Sequence, residues 1–351
     1  MNVLIVGANT KMARVFQNFA NIVILDNKDL RSYEEISDFR VIKSTISDLN
    51  YFSLMSRALE LKKIAKSNHI DVVFTNEKIS MIAAFLAFSF SLKKITLLST
   101  SHSSYAWMNE RNVKVFSKIV GICTHGFISL SSHVTALLIR NGLKKRKILT
   151  TVNPIEQNIF KFKKNYSLSS TISMVYVGVI NPRKGQDVLL KALKQLKSEG
   201  VNFMMHFYGD FLDNVFYENL IGYVKLNQLE KHVQFHGRID NSLLRYILCD
   251  YDIYICPSEM EMSPYNLIEA KATGLPIIAS NVGGIPDIIS NDIDGILVAP
   301  GSQVELTKAI KQLINNDKIR ENIGKNAYLS SKTKHSPNSL SNNLQLFISQ
   351  L

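Results

Sequence analysis

Short apolar runs alternate with longer segments of helical periodicity along most of the chain. Valine, isoleucine, leucine and phenylalanine fill runs of three to six residues, which is typical of strands buried on both faces. Between several of these runs, apolar residues recur every three or four positions, as they do on one side of an amphipathic helix. The alternation predicts an α/β protein whose parallel sheets are joined by right-handed crossovers.

The clearest apolar runs define the predicted strands, and the amphipathic segments define the predicted helices. In the N-terminal half we predict strands at 3–6, 22–25, 71–75, 95–99 and 126–129, and helices at 57–67 and 132–141. In the C-terminal half we predict a helix at 186–199 and strands at 173–178, 203–208, 233–235, 252–255, 276–279 and 295–298.

The pattern lapses once, at residues 161–170, where polar residues cluster and no periodicity remains. A chain of 351 residues also exceeds the usual size of a single hydrophobic core. We therefore expect two α/β domains, at 1–160 and 171–330, with a linker at 161–170 and a C-terminal segment at 331–351. In open parallel sheets, ligands bind at the carboxyl ends of the strands.

Composition narrows the class of protein. The chain has 46% hydrophobic and 20% charged residues, as ordinary globular proteins do. The longest apolar stretch, at 80–92, is shorter than the roughly 18–20 residues that span a bilayer, and it suits a buried helix. The N-terminus does not have the pattern of a signal peptide, and the three cysteines are scattered. We expect a cytoplasmic protein.

The net charge of +12 is concentrated in one half of the chain. Residues 1–165 contain 24 Lys and Arg against 11 Asp and Glu, whereas residues 166–351 contain 17 against 18. A basic half beside a neutral half predicts an anionic surface or ligand for the basic one. The alternative is a coding bias towards lysine, although such a bias should enrich both halves.

A basic loop follows the predicted strand at 173–178. Arg183 and Lys184 lie between this strand and the helix at 186–199. Cations at the start of a helix can clamp a diphosphate, because the helix N-terminus adds its own positive field. By itself such a pair is more often a solvated basic turn. The single Gly7 after the first strand, in contrast, indicates a tight turn and not a dinucleotide site.

A second strand–loop–helix junction contains two acids. The strand at 252–255 is followed by an acidic loop and then by a helix whose first turn lies near Pro264 and Tyr265. Glu261, before the helix, can bind sugar hydroxyls, and the two carboxylate oxygens of Glu269 can hold a ribose diol. Free N–H groups in the first turn can bind phosphate oxygens.

In their order and spacing, the motifs of this half resemble the donor domain of the family 4 retaining glycosyltransferases. The resemblance covers about 130 residues. It rests on Gly178-Val179-Ile180, Lys184-Gly185, Phe207-Tyr208-Gly209-Asp210, Phe235-His236-Gly237, Pro257-Ser258, Glu261 with Glu269, and Gly283-Gly284-Ile285-Pro286-Asp287. The family has the GT-B fold. The resemblance therefore implies two Rossmann-like domains that face each other across a cleft, with a C-terminal helix that crosses back to the N-terminal domain.

The resemblance also implies roles for particular residues. Lys184 is similar to the lysine that binds the donor diphosphate, Glu261 to the glutamate that faces the transferred sugar, and Glu269 to the one that holds the ribose. The remaining donor-binding positions are Gly178 at the strand end, Met262 and Ser263 near the sugar, and the amides of Tyr265, Asn266 and Leu267 near the distal phosphate.

The N-terminal half resembles the family more loosely. Its predicted strand at 95–99 is followed by His102, which matches a histidine beside the donor sugar. His125 and His133 have no such match and are interpreted as structural.

The sequence departs from the family pattern at two positions. Val179 stands where the family has an arginine, and Met262 stands where a glycine is common. Arg183 is our candidate replacement for the missing cation.

The implied chemistry is the transfer of a sugar from a nucleotide diphosphate sugar to an acceptor hydroxyl with retained configuration. The family implies no metal, and we expect a UDP-sugar in preference to a GDP-sugar. The expected acceptor is a glycan or lipid-linked glycan of bacterial surface polysaccharide synthesis, such as capsule, exopolysaccharide or lipopolysaccharide. The basic half would bind the anionic inner face of the cell membrane, and no nucleic acid is expected.

Two other hypotheses remain open. One is a nucleotide-sugar epimerase of the same fold, and the other is a non-catalytic partner subunit that resembles a glycosyltransferase.

Overall fold

The computed structural model describes residues 1–7, 10–26, 39–46, 51–89, 94–100 and 110–351. The chain forms two compact units. Unit 1 comprises Met1–Pro154 and Pro337–Leu351, and unit 2 comprises Ile155–Ser336.

Unit 1 contains one parallel sheet of seven strands flanked by helices. Its strands are β1 (Asn2–Val6), β2 (Asn21–Asp26), β3 (Arg40–Lys43), β4 (Val72–Thr75), β5 (Thr96–Thr100), β6 (Gly126–Ser129) and β7 (Ile148–Thr150). Its helices are α1 (Thr10–Gln17), α2 (Leu54–Ser67), α3 (Lys78–Phe88), α4 (Glu110–Cys123), α5 (Ser132–Arg140) and α13 (Pro337–Ser349).

The strands of unit 1 have the order β3-β2-β1-β4-β5-β6-β7, and every pair is parallel. The strands β4 and β6 are buried along their whole length, as expected for a sheet covered on both faces. One core packs α2 and α3 on the sheet, and a second core packs α1 and α13 on it. Unit 1 is therefore a three-layer α/β unit.

Unit 2 repeats this architecture with six parallel strands. They are β8 (Ile172–Val177), β9 (Phe203–Tyr208), β10 (Val233–Gly237), β11 (Ile253–Cys256), β12 (Ile277–Ser280) and β13 (Ile296–Val298). Its helices are α6 (Gln186–Ser198), α7 (Asn214–Leu226), α8 (Asn241–Ile247), α9 (Tyr265–Thr273), α10 (Ile285–Ile288), α11 (Gln303–Asn315) and α12 (Asp317–Lys334).

The strand order of unit 2, β10-β9-β8-β11-β12-β13, fixes where a ligand can bind. From β8 the chain winds towards β10, and from β11 it winds the other way towards β13. The helices that follow β8 and β11 therefore start on opposite faces of the sheet and leave a crevice between them. The crevice lies at the carboxyl ends of β8 and β11, which are direct neighbours.

The division between the units differs from the expected linker at 161–170, which lies inside unit 2. Lys163 is 6% exposed, and its ammonium donates to the carbonyl of Tyr251 at 2.6 Å. The Tyr166 hydroxyl donates to the carbonyl of Gly274 at 3.0 Å. Tertiary contacts that lie about 90 to 110 residues away in sequence, and that no local pattern reveals, hold this polar segment.

The C-terminal helix α13 belongs to unit 1, as the fold expectation required. Leu340, Leu344 and Phe347 pack in the same core as Ile5 and Phe16 of the N-terminal strand and helix. The sequence thus predicted the Rossmann-like architecture of both units correctly.

Each strand predicted from the apolar runs is present, with ends shifted by no more than two residues. In the part of the chain that the structure describes, no helix is both long and apolar enough to cross a membrane.

Candidate functional site

The predicted donor residues cluster at the crevice of unit 2. Two loops meet there: residues 178–185 follow β8, and residues 257–264 follow β11. Because β8 and β11 are neighbouring parallel strands, their carboxyl ends bring these loops side by side.

An ion pair joins the two loops. The Lys184 ammonium donates to Oε1 of Glu261 at 2.5 Å. The lysine side chain is 24% exposed and the glutamate side chain 11% exposed, so solvent reaches the cation more than the carboxylate. Both residues were predicted from the sequence, and the structure brings together side chains that lie 77 positions apart.

A buried serine orients Glu261 from the other side. The Ser258 hydroxyl is fully buried and donates to the same Oε1 atom at 3.0 Å. Behind it, burial and the Glu261 carboxylate raise the pKa of the Cys256 thiol to about 11, so the thiol is protonated at neutral pH. The carboxylate therefore has a fixed rotamer, with one oxygen engaged by two donors.

The backbone of the Lys184 turn touches the β11 loop directly. Gly185 has φ +69°, and a Cβ atom there would lie 2.1 Å from the carbonyl oxygen of Pro257. The Glu259 N–H donates to the carbonyl of Arg183 at 2.9 Å. Only glycine permits both this left-handed conformation and this approach, which explains the Lys-Gly dipeptide.

A second glycine turn supports the backbone of Glu261. Gly283 has φ +57°, and a Cβ atom there would lie 1.8 Å from the carbonyl oxygen of Glu261. The same oxygen accepts a hydrogen bond from the Gly284 N–H at 3.1 Å. The glycine pair between β12 and α10 therefore acts as a backbone support for the acidic loop.

The end of β8 is held by the first turn of α9. The side-chain amide of Asn266 donates to the carbonyl of Val177 at 2.7 Å, and the Tyr254 hydroxyl donates to that carbonyl at 3.3 Å. The next residue, Gly178, has φ +154°, and a Cβ atom there would lie 2.7 Å from the Tyr176 hydroxyl. Gly178 thus lets the chain turn sharply into the donor loop.

Val179, which stands where the family has an arginine, contributes its backbone carbonyl and no charge. The carbonyl of Val179 accepts hydrogen bonds from the Tyr176 hydroxyl and from the Gln186 side-chain amide, both at 3.1 Å. Arg183 lies four residues further on, in a 3-10 turn at Pro182–Lys184. Asn181 caps this turn, because its side chain accepts a hydrogen bond from the Arg183 N–H. Arg183 as a whole is half-buried.

Helix α9 directs its N-terminus at the same crevice. Pro264 precedes the helix and offers no side-chain acceptor to the first-turn N–H groups, as an Asp or Ser cap would. Glu269 lies one turn inside and is partly exposed. Burial raises the pKa of the Tyr265 hydroxyl, and the Glu269 carboxylate raises it further, so the two groups are close.

The far end of α9 is anchored in the core. Lys271 is fully buried, and its ammonium forms an ion pair with Oδ2 of Asp294 at 2.8 Å and donates to the carbonyl of Ile288 at 2.5 Å. The desolvation of Lys271 is therefore offset by a carboxylate and a carbonyl, and the helix that presents Glu269 is fixed at its base.

Most of the remaining predicted residues lie in this region. Met262 and Ser263 follow Glu261 in the loop, with Ser263 nearly buried, and Leu267 contributes a buried side chain to the core. His102 lies outside the described residues, and His125 and His133 lie in unit 1.

Sequence reasoning missed two supporting side chains, Ser258 and Asn266. Asn266 was predicted for its backbone amide, and Ser258 was matched to the family without a role. The Pro257-Ser258 dipeptide next to the strand end was the available signal for the serine.

The comparison with known proteins shows which family the second unit is similar to. Residues 158–330 match the model of the family described as glycosyl transferases group 1. This range covers the whole sheet of unit 2 and every residue of the crevice described above.

Relatives extend the similarity over both units. The chain is 25% identical over 319 residues to an uncharacterized 41.2 kDa protein in the cps region of Klebsiella pneumoniae, covering 85% of this chain and 86% of the relative. It is 26% identical over 309 residues to an uncharacterized glycosyltransferase of Methanocaldococcus jannaschii, covering 86% of this chain and 83% of that one.

A solved structure shares the whole fold. The crystal structure of Anabaena HepE in complex with UDP aligns with a TM-score of 0.82 at 18% sequence identity and covers 100% of both chains. The same protein was also solved with UDP and glucose.

Proposed function

We propose that this chain, whose residues 158–330 match the model of the glycosyl transferases group 1, transfers a sugar from a nucleoside diphosphate sugar to an acceptor hydroxyl with retained anomeric configuration. The observation that carries the proposal is the Lys184–Glu261 ion pair at the crevice of unit 2. The ion pair brings a cation that can bind a diphosphate next to a carboxylate that can bind a sugar, at the carboxyl ends of β8 and β11.

In this proposal the donor diphosphate replaces Glu261 as the partner of Lys184. The ammonium is the more exposed of the two groups, so a phosphate reaches it from solvent. The N-terminus of α9 contributes its N–H groups and its positive field to the same charge. Arg183 adds a second cation in place of the arginine absent at Val179.

Glu269 holds the nucleoside in this arrangement. A carboxylate one turn inside α9 can accept hydrogen bonds from both ribose hydroxyls through its two oxygens. The anchored base of the helix, at Lys271, keeps this carboxylate at a fixed distance from the phosphate-binding first turn.

The transfer step breaks the bond between the anomeric carbon and the diphosphate oxygen and forms a bond from that carbon to the acceptor oxygen. The acceptor proton moves to the departing phosphate oxygen on the same face, which retains the configuration. Lys184, Arg183 and α9 stabilise the negative charge that develops on the leaving group. Glu261, released from Lys184, faces the sugar and stabilises its positive character.

The nucleotide we propose is UDP. The support is the Anabaena HepE structure, which shares the fold and contains UDP. The protein groups already supply the cations that the diphosphate needs, so we propose that transfer requires no divalent metal.

The acceptor we propose is a lipid-linked glycan of a bacterial surface polysaccharide, bound at the inner face of the cell membrane. The support is the relative in the cps region of Klebsiella pneumoniae and the basic charge of the N-terminal half. An anionic membrane attracts such a half by about 1 kcal/mol for each basic residue close to its surface.

Product analysis tests the proposed activity. The purified protein is incubated with UDP-sugars and a bacterial lipid extract, and UDP release and the glycosylated lipid are measured, with the anomeric configuration read by NMR. We expect UDP release that depends on the lipid, an α-linked product from an α-linked donor, and no loss after EDTA treatment. Glu261→Gln should abolish transfer with the fold retained.

Other outcomes separate the alternatives. A change in the configuration of the donor sugar without UDP release assigns an epimerase. No turnover with any UDP-, GDP- or ADP-sugar, in a protein that still binds the nucleotide, assigns a non-catalytic subunit.

A further inference from the structure

The basic charge of the N-terminal half belongs to one part of it. Residues 51–150 contain 15 Lys and Arg against 4 Asp and Glu, whereas residues 1–50 contain 6 of each. The basic part includes α2, α3 and α4, and α3 contacts both of the other helices. Eight of these 15 basic residues, and two of the four acids, lie on these three adjacent helices.

Helix α2 exposes one stripe of apolar and basic side chains. Met55 and Leu59 are 64% and 65% exposed, and Phe52, in the 3-10 turn before the helix, is 98% exposed. At about 100° per residue, these positions share one side of the helix with the exposed residues Lys62, Lys63 and Lys66. The opposite side buries Ala58, Leu61 and Ile64 in the core.

Helix α4 repeats this composition. Its outward side presents the exposed residues Arg111, Lys114, Val115, Lys118 and Ile122, which recur at intervals of three or four. Val115 is 48% and Ile122 is 68% exposed. Basic and apolar side chains thus alternate along the outward stripe.

Helix α3, between them, completes the surface with Lys78 at its start and Leu86, 42% exposed, near its end. We call the outward sides of these three helices the α2–α4 face. Of the nine large hydrophobic side chains exposed in the described part of unit 1, six lie on this face.

Acidic groups are scarce on this face. Glu60 is 11% exposed and paired with Arg57 at 2.6 Å. Glu77 is the N-cap residue of α3. Among the acidic side chains that the structure describes on the three helices and their caps, it is the one that is exposed. A solvated helix face normally mixes both signs of charge, whereas most of the charged side chains described on this face are cationic.

A cationic cavity lies at the end of the same layer, between the C-termini of α3 and α4. Its volume is about 460 Å³, and its polar lining includes Lys94, Lys147 and His125 without an acidic side chain. The Leu97 N–H donates to Nδ1 of His125 at 2.9 Å, so the neutral ring carries its proton on Nε2, as a donor. A phosphate suits such a lining better than a cation does.

We propose that the α2–α4 face docks on an anionic phospholipid bilayer, with Phe52, Met55, Leu59 and Ile122 inserted among the acyl chains and the lysines at the headgroups. Apolar side chains set among lysines are the pattern of helices that lie in a membrane interface. A nucleic-acid surface gains nothing from exposed Met, Leu and Ile side chains, whereas a bilayer buries them. The inference rests on the proposed membrane-bound acceptor.

Vesicle flotation tests this docking face without requiring enzyme activity. The full-length protein is floated with phosphatidylcholine vesicles with and without phosphatidylglycerol. We expect binding to the anionic vesicles that weakens at high salt, because exposed charges are screened. Lys62→Gln/Lys63→Gln/Lys66→Gln should reduce the partition coefficient about 100-fold, which corresponds to about 1 kcal/mol for each lysine near the surface.

Matched variants make the result specific. Met55→Ser/Leu59→Ser should weaken flotation even at low salt, whereas Leu226→Ser/Val304→Ser, at exposed positions of unit 2, should not. Lys225→Gln/Lys308→Gln/Lys318→Gln removes three exposed helix lysines of unit 2 and should float like the wild type.

Two outcomes would overturn the proposal: equal flotation of the α2 variants and the wild type, or binding to a single-stranded RNA without binding to vesicles. Every variant is also titrated with UDP in a thermal-shift assay. A variant that loses vesicles but keeps its UDP response has lost the docking face alone, whereas a wild type that floats but does not respond to UDP contradicts only the proposed function.

Discussion

In the proposed function, Lys184 is the cation that binds the donor diphosphate. In the structure its ammonium is neutralised by Glu261, which in turn is oriented by Ser258. A diphosphate competes with one carboxylate for this cation and offers more negative charge. In the proposed function, Lys184 and Glu261 therefore hold each other in place before the donor arrives, and donor binding separates them.

Replacing Lys184 measures its contribution to leaving-group stabilisation. Lys184→Ala should lower kcat/KM by about 10² to 10³, the range found when one preorganised group that stabilises transition-state charge is removed. The thermal melting curve should stay close to the wild-type curve, because the lysine is partly exposed. Initial rates of UDP release provide the measurement.

Lys191→Ala is the matched control. Lys191 lies in α6, one helix turn after the donor loop, and pairs on the surface with Asp187 at 3.3 Å. Its removal should leave the rate within about twofold, since exposed pairs contribute little. Equal rates in Lys184→Ala and Lys191→Ala would contradict the role of Lys184.

At this scale the sequence predicted charged groups better than their supports. Lys184, Glu261 and Glu269 followed from charge, spacing and the strand–loop–helix junction. The hydrogen bonds of Ser258 to Glu261 and of Asn266 to the Val177 carbonyl depend on rotamers and on the contact of two strand ends, which a one-dimensional pattern does not contain.

Glycine turns are the elements that bring the loops of the site into register. Gly185 lies against Pro257, and Gly283 lies against Glu261, both with left-handed backbone and with less room than a methyl group needs. The sequence showed the glycines, but their partners became visible only in the structure.

Gly283→Ala should therefore damage the acidic loop. The added Cβ would overlap the Glu261 carbonyl, so the loop must move in addition to the strain of about 1–2 kcal/mol for a left-handed non-glycine residue. We expect a loss of more than tenfold in kcat/KM together with a lower unfolding midpoint in urea. The measurement is a rate assay beside urea unfolding.

Gly301→Ala separates the effect of backbone strain from the effect of displacing the Glu261 loop. Gly301 also has a left-handed φ, +72°, but a Cβ atom there meets nothing within 4 Å. This variant should lose the strain energy in stability and keep the wild-type rate. If both variants had the same activity, the support of Glu261 by Gly283 would be refuted.

The boundary between the units shows where element prediction fails. Residues 161–170 are polar enough to suggest a linker, yet Lys163 and Tyr166 are buried through partners far along the chain. Eleven of the 13 strands in the described residues were predicted, because burial on both faces forces a continuous apolar run. The sequence analysis missed β3 and β7, which have no fully buried residue.

For the whole molecule, a pair of histidines makes unit 2 sensitive to acid. Nδ1 of His206 on β9 and Nε2 of His236 on β10 are 2.9 Å apart, and one of them donates to the other. Burial lowers the pKa of both rings, and the proximity of His236 lowers that of His206 further. The unfolded chain therefore binds protons at a higher pH than the folded chain does.

Because of this difference, the stability of the folded protein falls as the pH drops. Both rings have a folded pKa below the ordinary value of 6.5, so their contribution to stability is present above 6.5 and falls as the pH drops through that value. The melting temperature should decrease between neutral pH and about pH 5. In His236→Gln the decrease should be smaller, and an unchanged slope would refute the assignment.

The distribution of charge was the whole-molecule feature most accessible from sequence. The two halves differ in net charge, and this separation matches two units of the same architecture with different surfaces. The orientation of the cations on α2 and α4 required helix bounds and exposure, because a run such as Lys62-Lys63 has the same composition on any face.

We propose that unit 2 binds a nucleoside diphosphate through Glu269 and Lys184. Measuring the affinity of the protein for UDP tests this proposal. Calorimetric titration is carried out on the wild type, on Glu269→Ala and on Glu218→Ala, an exposed glutamate of α7 in the same unit. Loss of a charge-assisted hydrogen bond costs about 1.5–3 kcal/mol, so Glu269→Ala should bind UDP roughly 10- to 100-fold more weakly. We expect saturable UDP binding by the wild type and by Glu218→Ala, and this weaker binding by Glu269→Ala. Equal affinity in all three proteins, or no binding of any nucleoside diphosphate by the wild type, would contradict the proposed role of unit 2.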